Sequence, residues 1–281
     1  MNPVRNYKNG NGITRADIKH GSDERASRNG VSNGVKVLVC IPARYGSTRF
    51  AGKVLAKDTG KFLIQHVWQQ ACKAKLPDKV IIAADDKRIA AAAKSFGAEC
   101  ILTSPKHSSG TDRIAEAVKK IDVDIVVNLQ ADEPEIEPNN IDKLAKLLMD
   151  NADCPMATLA AEFENKEQIS DPNIVKVVVD KKGFAIYFSR SPIPYNRGKA
   201  GIGDVKDYLR HLGIYAYRKK FLKEITSLPQ SRLEKIEKLE QLRAIENGYN
   251  ILVGKAGHAC DGIDTPQQYA EFVKRYNNKN K

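Results

Sequence analysis

The apolar positions of this 281-residue chain fall into two rhythms. Contiguous apolar runs at 35–41, 80–84, 99–103 and 124–129 are short and rich in β-branched residues, which predicts strands covered on both faces. Between them the apolar positions recur every three or four residues. Ile64, Val67, Trp68 and Ala71 mark a helix over 62–75; further helices are predicted over 87–96, closed by Gly97, over 111–120, and from about 138 to 150. Strands and helices that alternate in this way build a Rossmann-like α/β fold, a mostly parallel sheet covered by helices. Ligands of such sheets collect in the crevice outside the carboxyl ends of the strands.

After residue 155 the rhythm changes. Residues 156–163, 174–180 and 185–189 read as strands of antiparallel character, with turns such as Lys182-Gly183 between them. Residues 191–207, with three Gly and two Pro, are expected to form a mobile loop. Residues 210–217 alternate, with Leu212, Ile214 and Ala216 on one face and His211, Gly213, Tyr215 and Tyr217 on the other. One long helix is predicted over 232–247, then a strand at 251–253 and a last helix opened by Thr265-Pro266. In the long helix Glu237, Glu240 and Gln241 read most simply as a solvated face. However, Leu233, Ile236, Leu239, Leu242 and Ile245 recur every three residues, so the buried stripe drifts around it.

Composition adds boundaries. Residues 1–34 hold many Asn and Gly and few apolar residues, which predicts a disordered leader ahead of one domain at 35–281. No apolar run is long enough to span a bilayer, so a cytoplasmic location without membrane insertion is expected. The five cysteines are dispersed and odd in number, the pattern of reduced thiols, with no Cys-x-x-Cys pair to suggest zinc. The formal charge of +12 favours anionic partners; the leader supplies six Lys/Arg against three Asp/Glu, so most of the basicity is in the folded part.

One stretch changes the picture further. The strand at 35–41 feeds residues 42–53, PARYGSTRFAGK, where small residues allow close backbone approach and Arg44, Arg49 and Lys53 carry fixed charge. Such a loop after a strand is suited to phosphates, although it has neither P-loop nor dinucleotide spacing. A surface turn with incidental charges is the plainer alternative. Asp132 ends the strand at 124–129, and Asp264 precedes the last helix. If both loops reach the crevice, the two carboxylates suit one Mg²⁺ between nucleotide phosphates. The same placing also suits a helix cap for Asp264 and an exposed loop acid for Asp132. Glu133, Glu135 and Glu137 read as solvated loop acids, and His258 with Cys260 is a weak metal signal lacking a matching pair. The His211, Tyr215 and Tyr217 face suits a polyhydroxylated ligand or a packed sheet surface.

Eight segments in order carry a resemblance: 41–49 (IPARYGSTR) with Gly52-Lys53, 107–111 (HSSGT), 130–134 (QADEP), 187–190 (YFSR), Ile193-Pro194, 210–215 (RHLGIY), 239–243 (LEQLR) and 262–266 (GIDTP). Spanning about residues 36 to 276, they resemble the 3-deoxy-manno-octulosonate cytidylyltransferases, or CMP-Kdo synthetases. The resemblance implies a fold of nucleotide-diphospho-sugar transferase type, with 155–217 an embedded, smaller antiparallel lobe for sugar binding and dimerisation. It implies cytidylyl transfer from CTP to 3-deoxy-D-manno-octulosonate (Kdo), Mg²⁺, a homodimer and a place in lipopolysaccharide biosynthesis. Carried over, Arg44 and Lys53 act in catalysis and bind the CTP phosphates. Ala43, Ser47, Thr48, Arg49, Ser109, Gly110 and Asp132 complete the CTP site. Asp132 and Asp264 hold the metal and are catalytic with it. Gln130, Arg190, His211, Tyr215, Glu240 and Gln241 line the sugar pocket, with Arg190 a natural partner for the sugar carboxylate.

Three positions depart from the usual family residues: Phe50-Ala51 for Leu-Pro, Ser108 for Gln, and Ala131 for Gly. The last adds a methyl group beside the expected metal and requires φ below zero there. A cytidylyltransferase for a modified Kdo or a sialic acid is the nearest alternative. A nucleic-acid-binding protein is the alternative from charge alone, but it would interleave cations with exposed aromatics. No nucleic-acid partner is expected.

Overall fold

The computed structural model describes residues 34–279, apart from 48, 258 and 260. Residues 1–33 of the expected leader, Thr48 of the basic loop, and His258 and Cys260 therefore lie outside the described residues.

The first half follows the alternation. Strands β1 (Val37–Ala43), β2 (Lys79–Ala84), β3 (Glu99–Leu102) and β4 (Ile125–Asn128) are separated by helices α1 (Leu63–Ala71), α2 (Lys87–Ser95) and α3 (Gly110–Ala117), and α4 (Pro138–Asp150) follows. The second half adds β5 (Met156–Glu162), the short helix α5 (Lys166–Ser170), the hairpin β6 (Lys176–Val179) and β7 (Ala185–Ser189), then β8 (Leu209–Arg218). Helices α6 (Lys219–Ser227), α7 (Arg232–Glu237) and α8 (Leu242–Glu246), strand β9 (Ile251–Lys255) and helix α9 (Pro266–Lys279) complete it. The main strand order is β3-β2-β1-β4-β8-β5-β9, with the β6–β7 hairpin paired to β8.

This order decides which loops meet. β1, β2, β3 and β4 run parallel, so their carboxyl ends share one edge. β8 is antiparallel to both β4 and β5, so β5 runs with β4, and β9 is parallel to β5. The loop after β9 therefore starts at the same edge as the loops after β1 and β4. The antiparallel β8 begins at that edge, and β6 pairs Lys176 with both Arg210 and Ser189 there. Residues from five separate stretches thus converge on one rim by topology alone.

The central strands are packed on both faces, whereas the edge strand β3, expected to be covered as well, leaves Glu99 and Leu102 exposed. Along β1, Val37, Val39 and Ile41 join a core with Ile64 and Val67 of α1, Ile89 of α2 and Leu144 of α4. Leu38 and Cys40 face the opposite core, with Ile114 of α3, Phe221 and Leu222 of α6 and Leu242 of α8. Burial on both faces is why the strand reads as one continuous apolar run.

Some expectations are corrected. The helix predicted over 232–247 is broken into α7 and α8 at Lys238, whose φ is 55°. In one straight helix Glu234 and Arg243 would lie about 13 Å apart along the axis. Instead Arg243 grips the Glu234 carboxylate through two bonds of 2.6 and 2.8 Å and donates to the Ile225 carbonyl at 3.2 Å. These buried charge-assisted bonds offset the roughly 1–2 kcal/mol that a left-handed non-glycine residue costs. The three-residue recurrence of apolar positions was the sign that no single helix could bury them. The short α5 and the amphipathic α6 were not anticipated. Among the described cysteines, Cys40 and Cys154 are buried, but Cys72 is exposed.

Candidate active site

The rim encloses a crevice of about 340 Å³ lined by Arg44, Ser47, Arg49, Lys53, Ser109, Gly110, Gln130, Asp132, Glu240 and Asp264, among others. A larger groove, about 1070 Å³, lies between α3 and α6, but its lining is helix flanks and lysines away from most strand-end loops. The smaller crevice is where charged groups converge.

The basic loop is held by its backbone. Gly52, at φ 67°, opens a short 3-10 turn and donates to the Tyr45 carbonyl at 3.2 Å, which folds 45–52 back on itself. The Tyr45 N–H donates to Asp85 Oδ1 at 2.9 Å, and the Arg88 guanidinium lies 3.4 Å over the Tyr45 ring. Asp85 also faces Arg113 at 3.5 Å, and Arg113 Nη1 donates to Thr103 Oγ1 at 2.7 Å and to the Ser104 carbonyl at 3.2 Å. One buried arginine therefore ties the basic loop to the loop before α3. Glu116 accepts from the Ser104 N–H and pairs with His107; the backbone bond, then the histidine, hold its carboxyl below the usual range. Ser109 caps α3, its Oγ accepting from the Asp112 N–H at 3.1 Å, so Ser109 and Gly110 sit at a helix N-terminus facing the crevice.

Lys53 is the centre of the charge cluster. Its Nζ donates to Asp132 Oδ2 at 2.6 Å, to Asp264 Oδ1 at 3.0 Å and to the Ile263 carbonyl at 2.9 Å. Arg49 reaches the other oxygen of Asp264 at 3.0 Å. Asp264 is not the helix cap. Thr265 and Gln268 form a reciprocal capping box, with Gln268 N–H donating to Thr265 Oγ1 at 3.2 Å and Thr265 N–H to Gln268 Oε1 at 3.0 Å. That division of labour leaves the Asp264 carboxylate facing the crevice. Ala131 raises no backbone objection, because among the described residues only Ala200 and Lys238 are non-glycines at positive φ.

The expected sugar residues divide into two groups. Gln130 and Glu240 line the crevice, with Gln130 Nε2 donating to Asn128 Oδ1 at 2.9 Å. Burial pushes the Glu240 carboxyl up, and a hydrogen bond from Thr111 opposes the shift. Arg190, His211, Tyr215 and Gln241 do not line the crevice but lie on the neighbouring elements. The His211 and Tyr215 rings are 5.4 Å apart, and Phe188 packs edge-on to His211 at 4.8 Å. His211 Nε2 lies 3.0 Å from Thr158 Oγ1, whose single proton points to the Ile214 or Leu212 carbonyl. His211 is therefore the donor in that bond. Burial lowers its imidazole to about 3, so it is a neutral group. The Gln241 Nε2 is buried without a partner among the described residues, a donor that a ligand would satisfy. Ala43 is buried at the end of β1, and its carbonyl accepts from the Asp85 N–H at 3.3 Å.

Glu240 and Gln241, which read most simply as a solvated face, are thus enclosed, and two further acids that read as solvated are held as well. Glu133 is no solvated loop acid: burial, and then the neighbouring Asp132 charge, push its carboxyl up to about 8, with Arg210 opposing. Glu237 is no solvated helix acid, since its carboxylate accepts from Ser189 Oγ at 2.7 Å and from the Arg190 N–H at 3.0 Å. Glu135 pairs with Arg275 of α9 at 2.6 Å. Arg113 went unnoticed; only its place four residues after the cap of α3 hinted that it would turn inward.

Comparison with known proteins fits this geometry. The cytidylyltransferase family model matches residues 38–251. The 3-deoxy-manno-octulosonate cytidylyltransferase of Thermodesulfovibrio yellowstonii is 51% identical over 242 residues, covering 82% of this chain and 94% of its own length. That of Syntrophobacter fumaroxidans is 47% identical, covering 85% and 96%. A solved structure of CMP:2-keto-3-deoxy-manno-octonic acid synthetase complexed with CTP superposes with a TM-score of 0.81 at 40% identity, over 87% of this chain and 99% of that one. The chain belongs to the 3-deoxy-manno-octulosonate cytidylyltransferase family.

Proposed function

We propose that this protein transfers the cytidylyl group of CTP to Kdo, giving CMP-Kdo and pyrophosphate. The observation that carries this reading is the meeting of Lys53, Arg49, Asp132 and Asp264 at one crevice beside the α3 N-terminus, in a chain 51% identical to a Kdo cytidylyltransferase.

The reacting groups follow from the chemistry. The anomeric hydroxyl of the sugar attacks the α-phosphorus in line, and the bond to pyrophosphate breaks. This asks for positioning and charge neutralisation rather than covalent participation. Arg44, Arg49 and Lys53 receive the phosphates, with Ser47 and Thr48 in the same loop. Ser109 and Gly110, with the backbone near Ala43, take the base. Lys53 must then exchange part of its carboxylate contact for phosphate, which lets its charge follow the leaving pyrophosphate. Gln130, Arg190, His211, Tyr215, Glu240 and Gln241 hold the sugar, with Arg190 on its carboxylate. His211 is neutral and so contributes hydrogen bonds rather than charge.

Asp132, Asp264 and the Ile263 carbonyl already converge on one cation, the Lys53 ammonium. Hard oxygen donors in this number, completed by substrate phosphates, suit Mg²⁺. When bound, Mg²⁺ would neutralise charge on the phosphates. Dimerisation through the 155–217 lobe, a cytoplasmic location and a role in lipopolysaccharide biosynthesis belong to the same reading. No helix among the described residues is long and apolar enough to cross a membrane.

The test is pyrophosphate release from each of the four nucleoside triphosphates, with Kdo, with sialic acid and with neither. Release with CTP and Kdo is expected. Release with CTP and sialic acid but not Kdo overturns the substrate.

A further inference from the structure

Arg190, near the rim, is held through both its guanidinium and its backbone. Its Nε donates to the Glu237 carbonyl at 2.8 Å and its Nη1 to the Pro172 carbonyl at 2.9 Å. Its backbone is held as well. The Arg190 N–H donates to Glu237 Oε2 at 3.0 Å, while Ser189 Oγ donates to Oε1 at 2.7 Å. The Arg190 carbonyl accepts from Lys176 Nζ at 2.7 Å.

Lys176 is an unusual residue to find there. It is fully buried at the start of β6, and its ammonium donates to three backbone carbonyls, those of Asp171 at 2.8 Å, Ile174 at 2.7 Å and Arg190. Asp171 and Ile174 flank Pro172, the residue whose carbonyl holds Arg190 Nη1. One lysine therefore fixes both the backbone of Arg190 and the turn that grips its side chain. A buried ammonium costs desolvation, so a fold that needed only packing here would be served by an apolar side chain.

A guanidinium has five N–H donors, and two are taken by the carbonyls. The rest are one proton of Nη1 and both protons of Nη2, and a carboxylate accepts in parallel from one N–H on each of two guanidinium nitrogens. Arg190 directly follows β7, two residues after Phe188, which packs on His211, so it shares the neighbourhood of the His211–Tyr215 face.

We propose that Lys176 and Glu237 are positioning residues of the transferase, which hold the Arg190 guanidinium ready for the carboxylate of the sugar acid. This rests on the sugar-binding reading of Arg190 given above. The clamp removes the rotamer freedom of a long side chain before the substrate arrives, so binding does not have to. It also ties Arg190 to the Glu237–Gln241 turn, so the carboxylate site and the Glu240–Gln241 corner move as one unit.

The test compares Lys176→Met, Glu237→Gln and Arg190→Lys with the wild type in steady-state kinetics. The second substrate is an analogue of Kdo carrying a hydroxymethyl group in place of the carboxylate. Loss of a charge-assisted bond predicts a KM for Kdo raised roughly 10- to 100-fold in the first two variants, with the KM for CTP within about twofold. Their preference for Kdo over the analogue falls by the same factor, which a general loss of packing would not produce. Lys176→Met leaves three buried carbonyls bare; if it does not fold, Glu237→Gln carries the test alone. A raised KM for Kdo in Arg190→Lys, with normal values in the folded clamp variants, overturns the clamp and leaves the sugar reading standing. A normal KM in Arg190→Lys removes Arg190 from the sugar site and the clamp with it.

Discussion

Lys53 Nζ lies 2.6 Å from Asp132 Oδ2, although the two residues are 79 positions apart in sequence. The same ammonium reaches Asp264 at 3.0 Å, so one cation bridges two carboxylates from the loops after β4 and β9, with Arg49 on the second oxygen of Asp264. Replacing it by a neutral side chain leaves those acids facing one another. In Lys53→Met, turnover is expected to fall roughly 10²–10³-fold, the cost of one charge aimed at the transferring phosphate. Mg²⁺ alone should raise the melting temperature more in this variant than in the wild type, since the metal no longer competes with the ammonium. Equal Mg²⁺ shifts in the two proteins would contradict the shared cation position. Asp264→Asn should likewise lose most turnover at ordinary Mg²⁺; a wild-type kcat would remove it from the metal site.

The Asp85–Arg113 contact joins the two loops assigned to CTP. Asp85→Ala removes the acceptor of the Tyr45 N–H and the carboxylate beside a buried guanidinium. Breaking a buried pair from one side costs about 3 kcal/mol, which urea unfolding would measure. The KM for CTP should rise while that for Kdo changes little. A variant that is destabilised with an unchanged CTP KM would confine the pair to folding.

Gly110 offers a sharper steric probe. A Cβ there would stand 3.2 Å from Pro42 Cγ and 4.0 Å from Gln130 Oε1, in the narrow gap between the base loop and β1. Gly110→Ala needs only a few tenths of an ångström from Pro42, so the fold should survive. Since small misplacements in a closed site are expensive, the KM for CTP should rise roughly tenfold. Unchanged nucleotide affinity in a folded variant would place the base elsewhere.

Acid should destabilise this protein through its histidines. Burial lowers His66 to about 4 and His211 to about 3. Unfolding returns both to their ordinary value near 6.5, so between that value and the folded one the unfolded chain binds more protons. Their contribution is complete above about pH 6.5 and is lost as the pH falls through the window. Melting temperatures measured from pH 7 to 4 should drop, and the drop should be shallower in His66→Gln. An identical slope would show that His66 titrates alike in both states.

Much of this was legible along the chain. The contiguous apolar runs identified β1, β2, β3 and β4, and the loop carrying Arg44, Arg49 and Lys53 was recognisable from composition and position. Alternation placed Leu212, Ile214 and Ala216 against one core and His211 and Tyr215 on the opposite face, as found. The failures have a common cause. The break at Lys238 depends on Arg243 and Glu234, a pair that a local window cannot see. Glu133 and Glu237 looked like surface acids because charge predicts exposure until a specific partner or enclosure appears.

The sequence by itself determined strands β1 to β4 and the helices between them, their parallel character and the chemistry available at the strand ends, because periodicity and turn residues are local properties. Tertiary structure alone decided which of those ends meet. β8 had to insert antiparallel between β4 and β5 before the Asp264 loop could share an edge with Asp132, and before Lys176 could reach Arg190. Strand order follows from how helices cover a twisted sheet and from contacts far apart in sequence. The cap of α9 by Thr265 is local and legible in the sequence, but only the fold brings the Asp264 carboxylate it leaves free to Lys53 across the crevice.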